Sequence, residues 1–123
     1  MTENDITENI IGGAIEVHRA FGPGLLESVY EECLAIELGL RKLKFERQQP
    51  VSLEYKGHRV GVELRLDLLV EDRVIVELKA IEKLLPIHDA QLLTYMRLTR
   101  RSLGLMINFN VPLLKDGLRR LRL

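Results

Sequence analysis

The spacing of apolar and polar residues divides the first third of the chain into two helical segments. In residues 4–20 the apolar positions recur at intervals of three and four, which predicts an amphipathic helix. Residues 22–24, Gly-Pro-Gly, then break the chain. A second helix is predicted from Leu25 to about Leu38, and Gly39 is its expected C-terminal stop.

Extended segments follow the two helices. Strands are predicted over residues 51–55, 58–70 and 74–79, with turns at residues 56–57 and 71–73, which together form a three-stranded meander. The β-branched residues of the third segment argue against a helix there.

The remainder of the chain returns to helical spacing and then to a short apolar run. Residues 87–101, after Pro86, are predicted to form a helix, and residues 103–108 a buried strand. The tail from Leu113 has no clear pattern. We therefore expect one α/β domain over residues 1–123: N-terminal helices, a three-stranded meander, a helix and a further strand, in a mixed sheet flanked by helices.

Composition narrows the class of protein without naming its function. Apolar residues make up 46% and charged residues 29% of the chain, as in ordinary globular domains. The single cysteine, Cys33, cannot form an internal disulfide. The first residues lack a signal peptide, and no apolar run approaches the roughly 20 residues of a membrane span. These features predict a cytoplasmic protein with no membrane partner.

The net charge of zero conceals an asymmetry between the two ends. Residues 1–40 contain eight acidic residues and one basic residue, a net charge of −7. Residues 96–123 contain seven basic residues and one acidic residue, a net charge of +6. A basic end suits contact with phosphates, but the two ends could equally neutralise each other within a monomer or across a dimer.

The most informative chemical pattern is Asp67, nine intervening residues, Glu77, one residue, and Lys79. Glu77 and Lys79 are two apart on a strand and project to the same face. A three-residue loop at residues 71–73 places Asp67 directly opposite Glu77, whereas a two-residue loop sends Asp67 to the other face. A shared site therefore requires an odd-length turn or a bulge.

Glu77 lies within an apolar run typical of a buried strand, and a buried carboxylate beside a second one needs a partner. Mg²⁺ prefers oxygen ligands and is typically held by one or two carboxylates, water and substrate phosphate. The main-chain carbonyl of Leu78 could add a ligand, and Lys79 could orient the attacking water or neutralise charge on phosphorus. The alternative is a structural ion pair between Asp67 or Glu77 and Lys79 across the hairpin.

Three residues outside the strands add to this pattern. Gln91 and Tyr95 are four apart on a predicted helix and share a face. If that face is turned toward the sheet, both side chains could reach toward the site at Lys79. Glu27 lies in the first turn of the second helix, where a carboxylate is favoured by the helix dipole alone. Its functional interpretation is a third acid that holds or orients the metal.

Taken together, these segments resemble a known protein family. Residues 24–30, Gly-Leu-Leu-Glu-Ser-Val-Tyr, match the GxxExxY signature of small proteins grouped with the RecB-like branch of the PD-(D/E)XK nucleases. The similarity continues through the acids and the lysine to residues 91–95 and 108–113. Leu66 replaces the Pro of the PD pair, and Leu64 replaces a glycine common in RecB-type enzymes.

The resemblance implies a restriction-endonuclease-like core and a metal-dependent nuclease. It assigns the metal to Asp67, Glu77 and Glu27, with Mg²⁺ or Mn²⁺ as cofactor, and makes Lys79 the active-site lysine. Gln91 and Tyr95 become substrate-positioning residues. His18 is a candidate extra ligand that would favour Mn²⁺, against a capping or core histidine.

The expected activity is hydrolysis of DNA by water that the metal activates. The alternative is a catalytically silent nucleic-acid binding or regulatory module of the same fold. A third hypothesis is an interaction protein with no nucleic-acid role, in which the acid–lysine cluster is structural. A homodimer is expected because cutting both strands of a duplex requires two sites.

Overall fold

The computed structural model describes residues 1–123 as three helices around a five-stranded sheet. The elements, in chain order, are α1 Glu3–Phe21, α2 Glu27–Leu40, β1 Phe45–Val51, β2 Glu54–Tyr55, β3 His58–Arg59, β4 Leu64–Val70, β5 Val74–Lys79, α3 Pro86–Thr99, β6 Leu103–Asn108, a 3-10 turn Leu114–Gly117, and β7 Leu118–Arg122. None of the three helices is long and apolar enough to cross a membrane.

The main sheet has the strand order β1-β4-β5-β6-β7. Only β5 and β6 pair in parallel, and α3 connects them, while the other neighbours are antiparallel. The sheet is therefore mixed, with helices on both faces, and the predicted α/β class with its restriction-endonuclease-like arrangement is confirmed.

Two clusters of buried side chains hold the layers together. The larger cluster, of 18 residues, packs α1 and α2 against one face of the sheet, and the smaller, of 7 residues, packs α3 against the other. The helix ends have local causes, since Thr2 and Asp5 form a capping box at α1 and Pro86 begins α3.

Gly104 sets how closely α3 approaches the sheet. A Cβ built on Gly104 would lie 2.9 Å from the sulfur of Met96 and 3.1 Å from Leu92, both on α3. The helix therefore lies against the bare backbone of β6. This close approach fixes the height of α3, and with it Tyr95, above the sheet.

The strand predictions need two corrections. The meander uses β1, which the sequence did not predict, whereas residues 54–59 form the separate hairpin β2–β3. β1 is an edge strand with exposed Glu46, Arg47 and Gln48, so it lacks the apolar alternation of an inner strand. The unassigned tail contains β7, the opposite edge.

One ion pair joins the two charged ends of the chain, and two others pair basic residues near the C-terminus with acids elsewhere. Arg122 on β7 lies 3.3 Å from Glu3 on α1, and Arg119 lies 3.5 Å from Asp89 on α3. The guanidinium of Arg101 also pairs with Asp72. Three of the seven basic residues near the C-terminus thus have carboxylate partners.

Candidate active site

The register of β4 and β5 brings Asp67 and Glu77 together. Val70 pairs with Val74 and Leu68 with Val76, so the connecting loop has three residues and Asp67 stands opposite Glu77. Glu71 and Asp72 in that loop adopt left-handed φ values of 52° and 55°. The odd-length turn that a shared site requires is present.

The backbone pairing is interrupted on both sides of Asp67. β1 pairs with β4 at Arg47 and Gln49, but the Gln48–Asp67 step between them is skipped. Gln48 has a left-handed φ of 49°, which is unusual for a side chain with a Cβ. Pairing of β4 with β5 likewise stops before Asp67. The sheet therefore opens at the level of Gln48, Asp67 and Glu77.

The two carboxylates bind the backbone groups that this opening exposes. The N–H of Leu78 donates to Asp67 Oδ2 at 2.8 Å, and the N–H of Asp67 faces Glu77 Oε1 at 3.4 Å. Each acid is therefore anchored to the other strand. Neither Asp67 nor Glu77 has a lysine or arginine within 4.0 Å.

The environment of these acids disfavours negative charge. Glu77 is 8% exposed, and burial, followed by the charge of Asp67, raises its pKa to about 8. Burial is also the main cause that raises the pKa of Asp67, against the hydrogen bond from Leu78. Glu31 and Glu27 raise the pKa of Asp67 further. A cation between Asp67 and Glu77 would relieve this repulsion.

Lys79 is two residues beyond Glu77 on β5 and projects to the same face. It is half-buried, and its charge acts to lower the pKa of Glu77. Its ammonium group has no carboxylate within 4.0 Å. The structure therefore does not contain the salt bridge between Lys79 and an acid that the structural alternative requires.

The sequence interpretation missed Glu31, which α2 places behind Asp67. Glu31 is 7% exposed, and its carboxylate accepts from Arg47 Nε at 3.1 Å and from Gln48 Nε2 at 2.6 Å. Gln48 Nε2 also lies 3.5 Å from Asp67 Oδ1. A polar chain thus runs from Arg47 through Glu31 and Gln48 to Asp67. The available signal was the four-residue spacing from Glu27, which puts both acids on one side of α2.

Glu27 itself is exposed in the first turn of α2. Its charge contributes to the raised pKa of Asp67, but less than that of Glu31. Glu27 is therefore near the pair of acids without being in contact with either.

Tyr95 and Gln91 lie on α3 with different exposures. Tyr95 is half-buried, and its pKa is raised by burial and then by the charges of Glu77 and Asp67. The phenol thus lies in the field of both acids. Gln91 is exposed. The site is therefore bordered by α2 on one side and by α3 on the other.

Comparison with protein families agrees with this geometry. The sequence model of the PD-(D/E)XK nuclease superfamily matches residues 4–121, nearly the whole chain. The chain belongs to that superfamily. Searches of curated proteins and of solved structures find no match. Membership in the nuclease superfamily implies a nucleic-acid substrate, and such nucleases typically use divalent metals such as Mg²⁺.

The side chains at the site match part of the ligand set that a divalent metal requires. Asp67 and Glu77 are hard oxygen donors, adjacent and without a basic partner, which fits Mg²⁺ held by two carboxylates with water and phosphate. No group of three His, Cys, Asp or Glu side chains is close enough to form a complete cage. The donor set therefore fits an open Mg²⁺ site rather than a closed structural one.

His18 and Tyr30 have structural contacts in this nuclease fold. His18 is buried, and its Nε2 donates to the carbonyl of Val111 at 2.8 Å. The Tyr30 hydroxyl donates to the carbonyl of Gly22 at 2.6 Å and accepts from the N–H of Leu25 at 3.1 Å. Its ring stacks on Phe109 at 4.3 Å. The tyrosine of the GxxExxY segment thus fixes the loop that precedes Glu27.

Proposed function

We propose that this chain is a metal-dependent DNA nuclease of the GxxExxY, RecB-like group, with Asp67, Glu77 and Lys79 at its centre. The main support for the proposal is the pair formed by half-buried Asp67 and buried Glu77, which stand opposite each other, are anchored to each other's strands and have no basic partner. A structural ion-pair cluster would instead have its lysine in contact with an acid.

The acids would bind the metal, and the lysine would act on the water and the phosphate. Asp67 and Glu77 would hold Mg²⁺ or Mn²⁺, with the Leu78 carbonyl as a further oxygen donor and Glu27 as an outer acid. The bound metal would supply Lewis acidity toward the phosphate and lower the pKa of a bound water. Lys79, unpaired and on the same face, would orient the attacking water and stabilise charge on phosphorus.

The neighbouring polar residues would support this centre. Gln48 contacts the Asp67 side chain and is itself bound by Glu31 of α2. Groups that contact a metal ligand in this way tune metal affinity. Tyr95 and Gln91 would contact the nucleic acid from α3. We do not assign the metal to His18, because the structure does not bring His18 together with Asp67 and Glu77 in a group of side chains that could hold an ion.

The activity test is cleavage of supercoiled plasmid, linear duplex, single-stranded DNA and RNA in Mg²⁺, Mn²⁺ or EDTA. The wild type is expected to cut DNA only with metal. Glu77→Gln and Lys79→Ala should each reduce the rate by at least about 100-fold, as loss of a catalytic group does. Glu54→Gln, an exposed acid on the β2–β3 hairpin, is the matched control and should retain the wild-type rate.

Two outcomes would redirect the proposal. Cleavage that survives both Glu77→Gln and Lys79→Ala would contradict the assigned centre. DNA binding in EDTA without cleavage in any metal would select the silent binding module.

A further inference from the structure

A cavity of about 470 Å³ lies between the C-terminal part of α1 and the segment that follows β6. Eight residues line it, and Ile15 and Leu113 are among its apolar walls. Three of the eight are basic, His18, Arg19 and Lys115, and none is acidic. The volume is that of a small-ligand site, and the charge of the lining favours an anion.

The basic residues of the cavity come from two separate parts of the chain. The dipole of α1 favours basic side chains in its last turn, which accounts for His18 and Arg19. It does not account for Lys115, which belongs to the 3-10 turn Leu114–Gly117. Folding therefore brings to the cavity a third basic group that the end of the helix does not explain.

Both full cations of the cavity can take up a ligand. Lys115 is exposed and has no carboxylate within 4.0 Å. Arg19 meets only Glu16, at 3.8 Å, and both of these side chains are more than half exposed. Because ion pairs of this exposed kind contribute little, an anion in the cavity can displace Glu16 from Arg19.

The imidazole of His18 is held in one orientation. The residue is 9% exposed, and its Nε2 donates to the carbonyl of Val111, which leaves Nδ1 for a ligand. Beside an anion the doubly protonated ring is favoured, and its Nδ1–H then donates. The N–H of Gly22 donates to the carbonyl of His18 at 2.7 Å, and the Tyr30 hydroxyl donates to the carbonyl of Gly22 at 2.6 Å. The wall formed by His18 and Gly22 is therefore preorganised for binding.

The cavity lies at the same end of the sheet as the candidate active site. The N–H of Phe109 donates to the carbonyl of Lys79 at 2.9 Å, and the ring of Phe109 lies 6.5 Å from the ring of His18. Phe109 thus links the strand that carries Lys79 to the wall of the cavity. A nucleic-acid strand bound at the active site would therefore have the cavity beside it.

We propose that this cavity binds the terminal nucleotide of a nucleic-acid strand through its phosphate monoester. A terminal phosphate carries about two negative charges at neutral pH, whereas an internal phosphodiester carries one. Three basic groups without an acid match the monoester better. His18, Arg19 and Lys115 bind the phosphate, and Ile15 and Leu113 contact the sugar or the base. The choice of a strand end as the ligand rests on the proposed function, whereas the anion site itself does not.

The test is the binding of short single-stranded oligonucleotides in EDTA, measured by fluorescence anisotropy, which requires no cleavage. Each probe carries a fluorophore at one end and either a phosphate or a hydroxyl at the other, in both strand polarities. We expect the phosphate-ended probe of one polarity to bind at least about tenfold more tightly than its hydroxyl counterpart. Arg19→Ala and Lys115→Ala should each remove most of that difference. Lys56→Ala, at an exposed lysine in the turn of the β2–β3 hairpin, is the matched control and should retain it.

Equal affinity for phosphate and hydroxyl ends in both polarities would overturn the proposal, as would a preference that survives both Arg19→Ala and Lys115→Ala. Calorimetry with thymidine monophosphate, and with thymidine as its control, separates a strand end from a free nucleotide. Binding of the free monophosphate without any preference among strand ends would assign the cavity to a free phosphate ester and overturn the strand-end assignment. A chain that prefers phosphate ends but cuts no DNA in any metal would contradict the proposed nuclease and support the phosphate site.

Discussion

Asp67 and Glu77 are anchored to each other's strands: Asp67 accepts from the N–H of Leu78 beside Glu77, and Glu77 faces the N–H of Asp67. This reciprocal arrangement occurs where backbone pairing stops on both sides of β4. The opening of the sheet and the approach of the two acids are thus one structural feature. The burial that results raises the pKa of both groups.

The raised pKa of Glu77 predicts how metal-free stability depends on pH. The group has a pKa of about 8 in the folded chain against an ordinary value of 4.5. The folded state therefore binds the proton more tightly, and the stabilisation is complete below pH 4.5 and lost as pH rises to about 8. In urea denaturation with EDTA, the unfolding free energy of the wild type should fall by a few kcal/mol between pH 4.5 and about 8, relative to that of Glu77→Gln. Parallel pH profiles of the two proteins would contradict this.

Metal binding should release protons at neutral pH. At pH 7 Glu77 is mostly protonated in the metal-free protein, and a cation must displace that proton to use the carboxylate. Titration calorimetry with Mn²⁺ in two buffers of different ionisation enthalpy measures the number released. We expect about half a proton or more at pH 7 and close to none at pH 9.5. An equal number at both pH values would contradict the assignment.

Glu31→Gln should lower stability and Mn²⁺ affinity more than Glu32→Gln does. Glu31→Gln removes a buried charge from Arg47 and Gln48, which we expect to cost about 1–2 kcal/mol of unfolding free energy. It should also weaken Mn²⁺ binding about tenfold, because Gln48 no longer holds Asp67 as firmly. Glu32→Gln, 64% exposed, is the control and should change stability by less than about 0.5 kcal/mol. Similar effects of the two substitutions would refute a supporting role for Glu31.

Gly104 and Gly39 should respond to alanine with opposite signs. Gly104→Ala forces Met96 and Leu92 of α3 to move, with an expected loss of about 1–3 kcal/mol. Gly39, in the last turn of α2, has no atom within 4 Å of an added Cβ. Gly39→Ala should therefore stabilise by up to about 1 kcal/mol through helix propensity. Denaturant titration measures both, and a neutral Gly104→Ala would show that α3 is not held by this contact.

The elements with strong periodicity could be predicted from the sequence. The helices α1, α2 and α3 and the inner strands β4, β5 and β6 carry apolar patterns that local sequence determines. The opposition of Asp67 and Glu77 also followed from counting through the loop at residues 71–73, once its length was assumed to be odd.

The parts that were missed depend on tertiary contacts. β1 is a polar edge strand, so its pairing with β4 leaves little trace in its sequence. Glu31 was passed over for Glu27, because only the docking of α2 against β1 shows which acid is turned toward Gln48. The contact of His18 with Val111 joins residues 93 positions apart, beyond the reach of any local pattern.

The most direct measurement is an anomalous difference map from a crystal of this chain soaked in Mn²⁺. We expect one peak about 2.1 Å from carboxylate oxygens of both Asp67 and Glu77, and no such peak in Glu77→Gln crystals. A map without a peak between these two acids, from crystals in which Mn²⁺ occupies other sites, would contradict a metal site at Asp67 and Glu77.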